Sequence, residues 1–259
     1  MASSFATRWP AALVTGASSG IGRAFAVALA GRGCQVVAVA RRKDRLEELA
    51  EATGAEALVA DLTDPVDLAS VEDRLSNRSR PIDLLVNNAG FGGSGPFVRQ
   101  PLDHEDREVR LNVLAPVHLT SAALPGMVER GRGGIVNVSS MAGVQALPFL
   151  ATYSATKAYL TSFSQSLHEE VRPYGVNVLA VLPGMTRTEF HQTAGLDRSM
   201  VPRPAWLTAE EVVEAALSDL ERGRAVCIPR AGYRVLATVS RMAPRVLNRK
   251  VSAVIGRRL

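Results

Sequence analysis

Two side chains four residues apart carry the most informative chemistry in this sequence. Tyr153 and Lys157 stand at the start of a helical pattern over Tyr153–Val171, and residues i and i+4 share a helix face with Cβ atoms about 5–6 Å apart. A phenol has a pKa of about 10 and is a poor acid–base catalyst at neutral pH, but a nearby ammonium favours its ionised form. The pair therefore predicts a tyrosine that exchanges a proton with a substrate oxygen. Because this spacing is common on exposed helices, its weight depends on the residues before it.

A serine precedes the pair at a position that suits the same chemistry. Ser140 lies thirteen residues before Tyr153 and just after the apolar run Ile135–Val138. A residue at the carboxyl end of a central parallel strand faces the ligand crevice of the sheet. The Ser140 hydroxyl would hold the substrate oxygen while Tyr153 transfers the proton. The neighbouring Ser139 is the competing candidate.

Asn112 is a candidate because of the proline that follows it. Pro116 lies four residues later within a helical pattern. Since proline has no N–H, the carbonyl of Asn112 loses its usual helical partner, a defect that costs about 3 kcal/mol or more. The freed carbonyl would hold a water that connects Lys157 to solvent. The alternative is that Pro116 only kinks the helix and Asn112 is a buried polar residue.

A glycine-rich turn follows the first apolar strand and opens a helix. Residues 15–22 read Thr-Gly-Ala-Ser-Ser-Gly-Ile-Gly. Glycines at such a turn let the backbone approach a pyrophosphate, which then lies at the helix N-terminus. The turn predicts a dinucleotide site, with a plain glycine turn as the alternative. Its candidate cofactor-binding residues are Gly16, Ser18, Ser19, Gly20, Ile21 and Gly22.

The choice between NAD and NADP depends on the end of the second strand. An NAD enzyme carries an acidic residue there for the ribose 2′-OH, whereas this strand ends at Ala40 and continues with Arg41, Arg42 and Lys43. A guanidinium suits a 2′-phosphate through charge-assisted hydrogen bonds. Cations at a helix N-terminus also oppose the helix dipole unless an anion binds there. The pattern predicts NADP(H) held by Arg41 and Arg42, with a solvated helix start as the alternative.

The elements that must position these residues alternate regularly along the chain. Apolar, β-branched runs separated by helical patterns indicate a parallel sheet covered on both faces, and such units with right-handed crossovers form a doubly wound sheet. We predict an α/β fold with a single doubly wound (Rossmann) parallel sheet of about seven strands and a C-terminal helical extension. The strands are predicted at Ala12–Thr15, Gln35–Ala40, Glu56–Ala60, Leu84–Asn87, Gly134–Ser139, Val176–Leu182 and Ala225–Ile228.

From residue 11 to about residue 190 the sequence resembles the short-chain dehydrogenase/reductase family. The Gly-x-x-x-Gly-x-Gly turn, the run Asn87–Gly90, the serine and the Tyr-x-x-x-Lys pair occur in that family's order. The resemblance implies a catalytic tetrad, which is Asn112, Ser140, Tyr153 and Lys157, and it favours Ser140 over Ser139. It implies adenine contacts at Asp61 and Leu62 and nicotinamide contacts after the sixth strand. The remaining implied cofactor contacts are Asn88, Ala89, Gly90, Tyr153, Lys157, Pro183, Gly184, Thr186 and Thr188.

The resemblance implies an NADP(H)-dependent oxidoreductase that interconverts a ketone and a secondary alcohol. The expected substrate is a small hydrophobic molecule, steroid-, lipid- or acyl-like, and the expected assembly is a homo-oligomer, a dimer or a tetramer. A non-catalytic NADP(H)-binding redox sensor is an alternative, although such proteins usually lose the tyrosine or the lysine. An enoyl reductase is disfavoured by the intact serine. A 3-oxoacyl thioester reductase is disfavoured because Pro229–Gly232 replaces the Val-Asp-Gly-Gly ending typical of 3-oxoacyl carrier-protein reductases.

Composition excludes several other classes. With 47% hydrophobic and 21% charged residues, the chain can bury a large core and does not have the composition of a disordered protein. We find no stretch that approaches the roughly 20 apolar residues of a membrane span and no signal-peptide pattern in Met1–Pro10. Two distant cysteines and four histidines without ligand spacing predict no metal site. A cytoplasmic protein is expected.

The C-terminal region carries the excess positive charge. Residues 222–259 contain ten basic and no acidic side chains. Because the basic residues do not spread over the body, no nucleic-acid binding is predicted. We predict a catalytic domain over residues 1–231 and a basic amphipathic extension over residues 232–259, whose arginine face consists of Arg230, Arg234, Arg241, Arg245 and Arg249.

The apolar face of this extension has two possible partners. It packs on the body or a second subunit, or it makes a peripheral contact with an anionic membrane surface. Pro244 would interrupt a continuous helix. Before this region, Glu189–Trp206 lacks clear periodicity and is predicted to form a lid over an apolar ligand, with a plain surface loop as the alternative.

Overall fold

A computed structural model describes residues 4–190 and 205–242 and contains the predicted doubly wound sheet. All seven strands are parallel in the order β3-β2-β1-β4-β5-β6-β7. Their ends differ from the predicted ones by at most one residue. The strands are β1 Ala11–Thr15, β2 Gln35–Ala40, β3 Glu56–Val59, β4 Leu84–Asn87, β5 Gly133–Val138, β6 Val176–Val181 and β7 Val226–Cys227.

Helices cover both faces of the sheet. They are α1 Ser4–Arg8, α2 Gly20–Gly31, α3 Lys43–Thr53, α4 Pro65–Ser76, α5 Leu102–Val109, α6 Ala115–Glu129, α7 Ala151–Val171, α8 Ala209–Glu221 and α9 Ala231–Met242. Successive strand residues point to opposite faces, so Val14 of β1 joins the core beneath α2 and α8, and Leu13 joins the core beneath α4 and α6. Both side chains are fully buried, and burying one such side chain contributes about 1.5–3 kcal/mol.

The strand order creates the crevice in which a ligand can bind. β1 pairs with β2 on one side and with β4 on the other, so the direction in which the sheet grows reverses at β1. In open parallel sheets, ligands bind beyond the carboxyl ends of the strands at such a reversal. The glycine turn after β1 and the Asn-Asn-Ala-Gly run after β4 therefore lie side by side at this crevice.

A π-helical turn joins α5 to α6. Arg110–Leu114 adopts π geometry, Ala115 N–H donates to the Arg110 carbonyl, and Pro116 lies in the first turn of α6. The α-helical hydrogen-bond pattern is therefore interrupted where the proline predicts it. The continuous helical segment Leu102–Glu129 meets the length and composition test for a membrane span, contrary to our sequence expectation. In this fold one side of the segment packs on the sheet, where Leu119 and Met127 are buried.

The C-terminal helix is present, but its predicted faces need correction. α9 begins at Ala231, so Arg230 precedes the helix; it has a φ of 69° and pairs with Glu211 at 2.9 Å. The body contacts α9 through Tyr233 and Ala237. The apolar face, by contrast, is exposed over Val235, Leu236, Val239 and Met242. Pro244, Arg245 and Arg249 lie outside the described residues, as does most of the predicted lid, residues 191–204.

The basic region is partly neutralised by acids of α8. Arg224 lies 3.1 Å from Asp219, and Arg222 lies 3.7 Å from the same carboxylate. With the pair between Arg230 and Glu211, three of the basic side chains that the structure describes after position 221 have acidic partners on the body. The charge available to an external anionic surface is therefore smaller than the sequence indicates.

Candidate active site

The structure brings Ser140, Tyr153 and Lys157 together where β5 meets α7. Because α7 begins at Ala151, Tyr153 lies in its first turn and Lys157 one turn later. The Ser140 hydroxyl lies close enough to the Tyr153 phenol to influence its pKa, and it accepts the N–H of Ala142 at 3.0 Å. Lys157 Nζ lies 5.8 Å from the centroid of the Tyr153 ring. The three side chains thus share one edge of the crevice.

Burial dominates the electrostatics of this group. It raises the pKa of Tyr153 to about 12; the charge of Glu108 adds to the shift, and the Ser140 hydrogen bond opposes it. Burial also lowers the pKa of Lys157 to about 8, against the attraction of Glu108. Our expectation that Lys157 lowers the phenol pKa is therefore not met in the protein alone. Lys157 Nζ instead donates to the Val138 carbonyl at 2.9 Å.

Ser139 occupies a structural position. Its hydroxyl lies 2.7 Å from the Lys157 carbonyl oxygen and 2.7 Å from the Thr161 hydroxyl, and the side chain is buried. These contacts join the end of β5 to α7 and direct Ser139 away from the Tyr153 phenol. Ser140 is the serine that faces the reacting group.

The Asn112 side chain holds the loop after β4. Its Nδ2 donates to the Phe91 carbonyl at 2.8 Å, and its Oδ1 accepts the Phe91 N–H at 3.2 Å. A Cβ on Gly90 would lie 2.9 Å from Asn112 Oδ1 and 3.3 Å from Lys157 Nζ, so both side chains flank this glycine. Asn112 thus ties the π turn to the loop that crosses the site. The water relay through its backbone carbonyl remains a prediction.

The glycine turn has the shape that a pyrophosphate requires. Gly16 has a φ of 67°, and a Cβ on Gly22 would lie 2.3 Å from the Gly16 carbonyl oxygen, so glycine is required for this close approach. Ser19 precedes α2, and its side chain forms no capping hydrogen bond to that helix. The first N–H groups of α2 can therefore bind an anion. Ser18, Gly20 and Ile21 complete the same turn.

Asn88 joins this turn to β4. Its Nδ2 donates to the Thr15 carbonyl at 2.9 Å, and the backbone N–H groups of Asn88 and Ala89 each donate to the Thr15 hydroxyl at 3.0 Å. The predicted contacts Asn88, Ala89 and Gly90 therefore line the crevice beside the glycine turn. On this geometry the residues present fit a dinucleotide.

The two arginines after β2 have different partners. Arg42 donates from Nε and Nη2 to the Ser18 hydroxyl at 3.1 and 2.9 Å, and from Nη1 to Glu189 at 2.9 Å. Arg41 pairs with Asp61 at 3.5 Å. Burial opposes it, but hydrogen bonds from Thr63 and the charge of Arg41 hold the pKa of Asp61 below its usual range. Arg42 is therefore the cation that touches the glycine turn.

Glu189 is a site residue that sequence reasoning missed. It accepts hydrogen bonds from Arg45 at 2.6 Å and from Arg42 at 2.9 Å, and these two bonds lower its pKa to about 2. The carboxylate thus binds the guanidinium of Arg42, which the sequence analysis predicts to hold a 2′-phosphate. Its position at the start of the predicted lid was visible in the sequence, but its partners were not.

The turn after β6 rests on the C-terminal helix. The ring of Tyr233 covers Gly184, where an added Cβ would lie 2.1 Å from the ring. The Tyr233 hydroxyl accepts the Met185 N–H at 3.0 Å and donates to the Ala205 carbonyl at 2.8 Å. Sequence reasoning missed this residue, although it is the only aromatic side chain after position 221.

The remaining predicted contacts lie around the same crevice. Thr186 donates to the Gly184 carbonyl at 3.0 Å, which is part of the turn that begins at Pro183. Thr188 lies against the glycine turn, 3.1 Å from the position of a Cβ on Gly20. Leu62 is buried beside Asp61.

Two buried acids on α5 are the main feature that the sequence analysis missed. Glu105 is 9% and Glu108 1% exposed, and both line a small cavity that Tyr153 also lines. The Thr152 hydroxyl donates to Glu105, and the Gly93 N–H donates to Glu108 at 3.4 Å. They stand in a stretch rich in charged residues that reads as a solvated helix face, so no sequence signal marks them as buried. Within residues 4–190 and 205–242, no three His, Cys, Asp or Glu side chains group as metal ligands.

Comparison with known proteins identifies the relatives of this site. The family model described as short chain dehydrogenase matches residues 10–199. A short-chain dehydrogenase from Sphingobium yanoikuyae in complex with NADPH is 42% identical in sequence. The match covers 89% of this chain and 92% of the Sphingobium chain, with a TM-score of 0.81. The bulky-bulky ketone specific alcohol dehydrogenase from Comamonas testosteroni is 38% identical, with coverages of 90% and 92% and a TM-score of 0.77. A very-long-chain 3-oxoacyl-CoA reductase from Bos taurus is 34% identical over 95% of this chain and 79% of its own.

Proposed function

The chain belongs to the short-chain dehydrogenase family, and on that premise we propose that it is an NADP(H)-dependent oxidoreductase that interconverts a ketone and a secondary alcohol. The observation that carries the proposal is the grouping of Ser140, Tyr153 and Lys157 at the carboxyl end of β5, where Ser140 lies beside the Tyr153 phenol and Lys157 follows one helical turn later. This arrangement can hold a carbonyl oxygen and transfer one proton to it.

The chain's own residues bind the substrate oxygen and transfer its proton. In ketone reduction, the Ser140 hydroxyl and the Tyr153 phenol donate hydrogen bonds to the carbonyl oxygen, and Tyr153 gives up its proton as negative charge develops there. The Lys157 ammonium stabilises the phenolate that remains. In alcohol oxidation the phenolate takes the proton back. The nicotinamide, when bound, supplies or accepts the hydride.

NADP(H) is the cofactor that the residues after β2 favour. Arg42 contacts the glycine turn through Ser18, and Arg41 precedes it, so these two guanidinium groups would hold a 2′-phosphate. No acidic residue lies at the end of β2 to accept the ribose 2′-OH. The NADPH bound by the relative from Sphingobium supports the same choice.

We propose that the substrate is a ketone flanked by large hydrophobic groups. Two relatives point in this direction, since one is named for bulky-bulky ketones and another for very-long-chain 3-oxoacyl-CoA. A 3-oxoacyl thioester is therefore a second candidate substrate. The bovine relative favours it, whereas the sequence pattern at Pro229–Gly232 disfavours it. Phe190, whose ring lies 5.4 Å from that of Tyr153, supplies an apolar surface next to the reacting carbon.

The test follows the absorbance of NADPH with a panel of bulky ketones and 3-oxoacyl-CoA esters. Tyr153→Phe should retain NADPH binding and lower turnover at least about a hundredfold, because general acid catalysis contributes about 10²–10⁴-fold. Tyr174→Phe, an exposed tyrosine just after the same helix, is the matched control and should remain active. NADPH binding without turnover of any ketone would favour a redox sensor, and near-normal turnover of Tyr153→Phe would refute the mechanism.

We also propose a homo-oligomer formed through the outer surface of α5 and α7. An apolar groove there is lined by Val109, Val113, Ala155 and Tyr159, and both Val109 and Tyr159 are exposed in the monomer. The expected compartment is the cytoplasm, in line with two unpaired cysteines that are both buried. The exposed apolar face of α9 remains available to a second subunit or to a membrane surface.

A further inference from the structure

We propose that the buried carboxyl of Glu108 acts on the reaction through Tyr153. It returns a proton to the Tyr153 phenolate through the cavity that both side chains line. The inference rests on the proposed function and adds a residue outside the predicted tetrad. It starts from the burial of Glu108, of which 1% is exposed. A carboxyl in such a place is costly unless it is paired or protonated.

One carboxylate oxygen of Glu108 is left without a hydrogen bond among the described residues. Oε2 accepts the Gly93 N–H at a long 3.4 Å. Oε1 is buried and has no hydrogen-bond partner among the described residues. The cavity has a volume of about 30 Å³ and is lined by Glu108, Glu105 and Tyr153, among others. A cavity of this size with polar walls can hold water.

The surroundings of Glu108 bring the pKa of its carboxyl close to neutral pH. The titratable groups that face it are Glu105 on its own helix and Tyr153 and Lys157 on α7, while His104 packs against the other side of Gly93. Burial raises the pKa of Glu108 to about 7; the Gly93 N–H and Lys157 oppose the shift, and Glu105 adds to it. Both forms of the carboxyl are therefore populated near neutral pH.

The proton balance of the step is simple. In reduction, the phenol O–H bond breaks and the proton goes to the substrate oxygen. The carboxyl O–H bond of Glu108 then breaks, a water in the cavity passes the proton to the phenolate, and solvent later reprotonates the carboxylate. The transfer runs downhill, because the pKa of Glu108 is about 7 and that of Tyr153 about 12. In oxidation every transfer is reversed.

The first test compares the pH dependence of kcat in the two directions. Reduction needs protonated Glu108, so its kcat should fall as pH rises through about 7; oxidation needs the carboxylate, so its kcat should fall as pH drops through the same value. Glu108→Gln preserves the shape of the side chain and an acceptor for Gly93. This variant should remove the pH dependence of kcat in both directions, which we call the two limbs of the pH profile. It should also lower kcat about tenfold, which is part of the about 10²–10⁴-fold that proton transfer contributes. Survival of both limbs in this variant would overturn the proposal.

Two further variants separate a role in proton transfer from a role in packing. Glu105→Gln removes the like charge beside Glu108 and should move both limbs to lower pH without abolishing them. Glu108→Asp keeps an ionisable carboxyl and should retain the limbs at a reduced rate. A purely structural Glu108 predicts the reverse pattern, in which Glu108→Gln is active and Glu108→Asp is damaged.

An infrared pH titration of the chain without cofactor tests the ionisation independently of turnover. The C=O band of a protonated carboxyl should disappear as pH rises through about 7, and it should be missing in Glu108→Gln. A Glu108 that stays ionised down to about pH 5 would overturn the inference even if the enzyme reduces ketones. Absence of ketone turnover combined with a normal titration would instead refute the proposed function.

Discussion

The partners of Arg42 allow a quantitative prediction of cofactor preference. Arg42→Ala removes a guanidinium that places two N–H groups on the Ser18 hydroxyl of the glycine turn. Hydrogen bonds to charged groups contribute about 1.5–3 kcal/mol, and the side chain is 40% exposed, so solvent screening favours the lower end of this range. The NADPH-over-NADH preference, measured as a ratio of kcat/KM values, should therefore fall about tenfold.

Three companion variants make this measurement specific to Arg42. Arg41→Ala should lower the ratio by less, because Arg41 is 63% exposed and shares its charge with Asp61. Lys43→Ala removes a neighbouring cation that pairs with Glu47 and should leave the ratio unchanged, which controls for net charge. Glu189→Gln should raise NADPH affinity, since it removes a carboxylate that competes for Arg42 and Arg45.

The assay is the initial rate of ketone reduction at several concentrations of each cofactor. Salt is held constant, because it screens charge interactions. The reasoning fails if the wild type prefers NADH, or if Arg42→Ala and Lys43→Ala change the ratio equally.

Two other predictions concern the C-terminal helix and the outer groove. Tyr233→Phe keeps the ring on Gly184 but removes the hydroxyl that is hydrogen-bonded to Met185 and Ala205. Loss of two hydrogen bonds of about 0.5–1.5 kcal/mol each should lower Tm by a few degrees in a melting curve. It should also raise the KM for NADPH in steady-state kinetics. An unchanged Tm and KM would exclude a positioning role for Tyr233. Val113→Arg introduces a charge into the groove over α7 and should shift the oligomer toward monomer in sedimentation while NADPH binding persists. An oligomer that survives this change uses another surface.

The parts of the site that the sequence predicted are those built from neighbours in the chain. The glycine turn and the Tyr153–Lys157 pair each depend on a few consecutive residues and one element boundary, and the strand ends follow from apolar runs. Such local patterns place Ser140 at the end of β5 before any contact is known.

The features that escaped the sequence depend on contacts between distant segments. Glu108 is buried because the loop after β4 and the start of α7 pack against α5, and nothing in its own charged neighbourhood indicates this. The partners of Glu189 lie more than a hundred residues away, on α3 and its N-cap. The pKa of Tyr153 rises because burial outweighs the opposing effect of Ser140, and the degree of burial is a property of the packed site.

The wholly parallel sheet determines when the cofactor cradle, formed by the glycine turn after β1 and residues 88–90 after β4, can form during folding. Parallel strands cannot pair as hairpins, and each pairing closes a long loop, which slows folding. β1 meets β2 across a short separation, with Ala11 opposite Gln35, but it meets β4 only when Ala12 reaches Leu84. Since Asn88 braces the glycine turn through Thr15, a growing chain cannot complete the cradle until β4 has been synthesised and docked. Dinucleotide binding therefore reports on closure of the centre of the sheet, and not on the folding of the first βαβ unit.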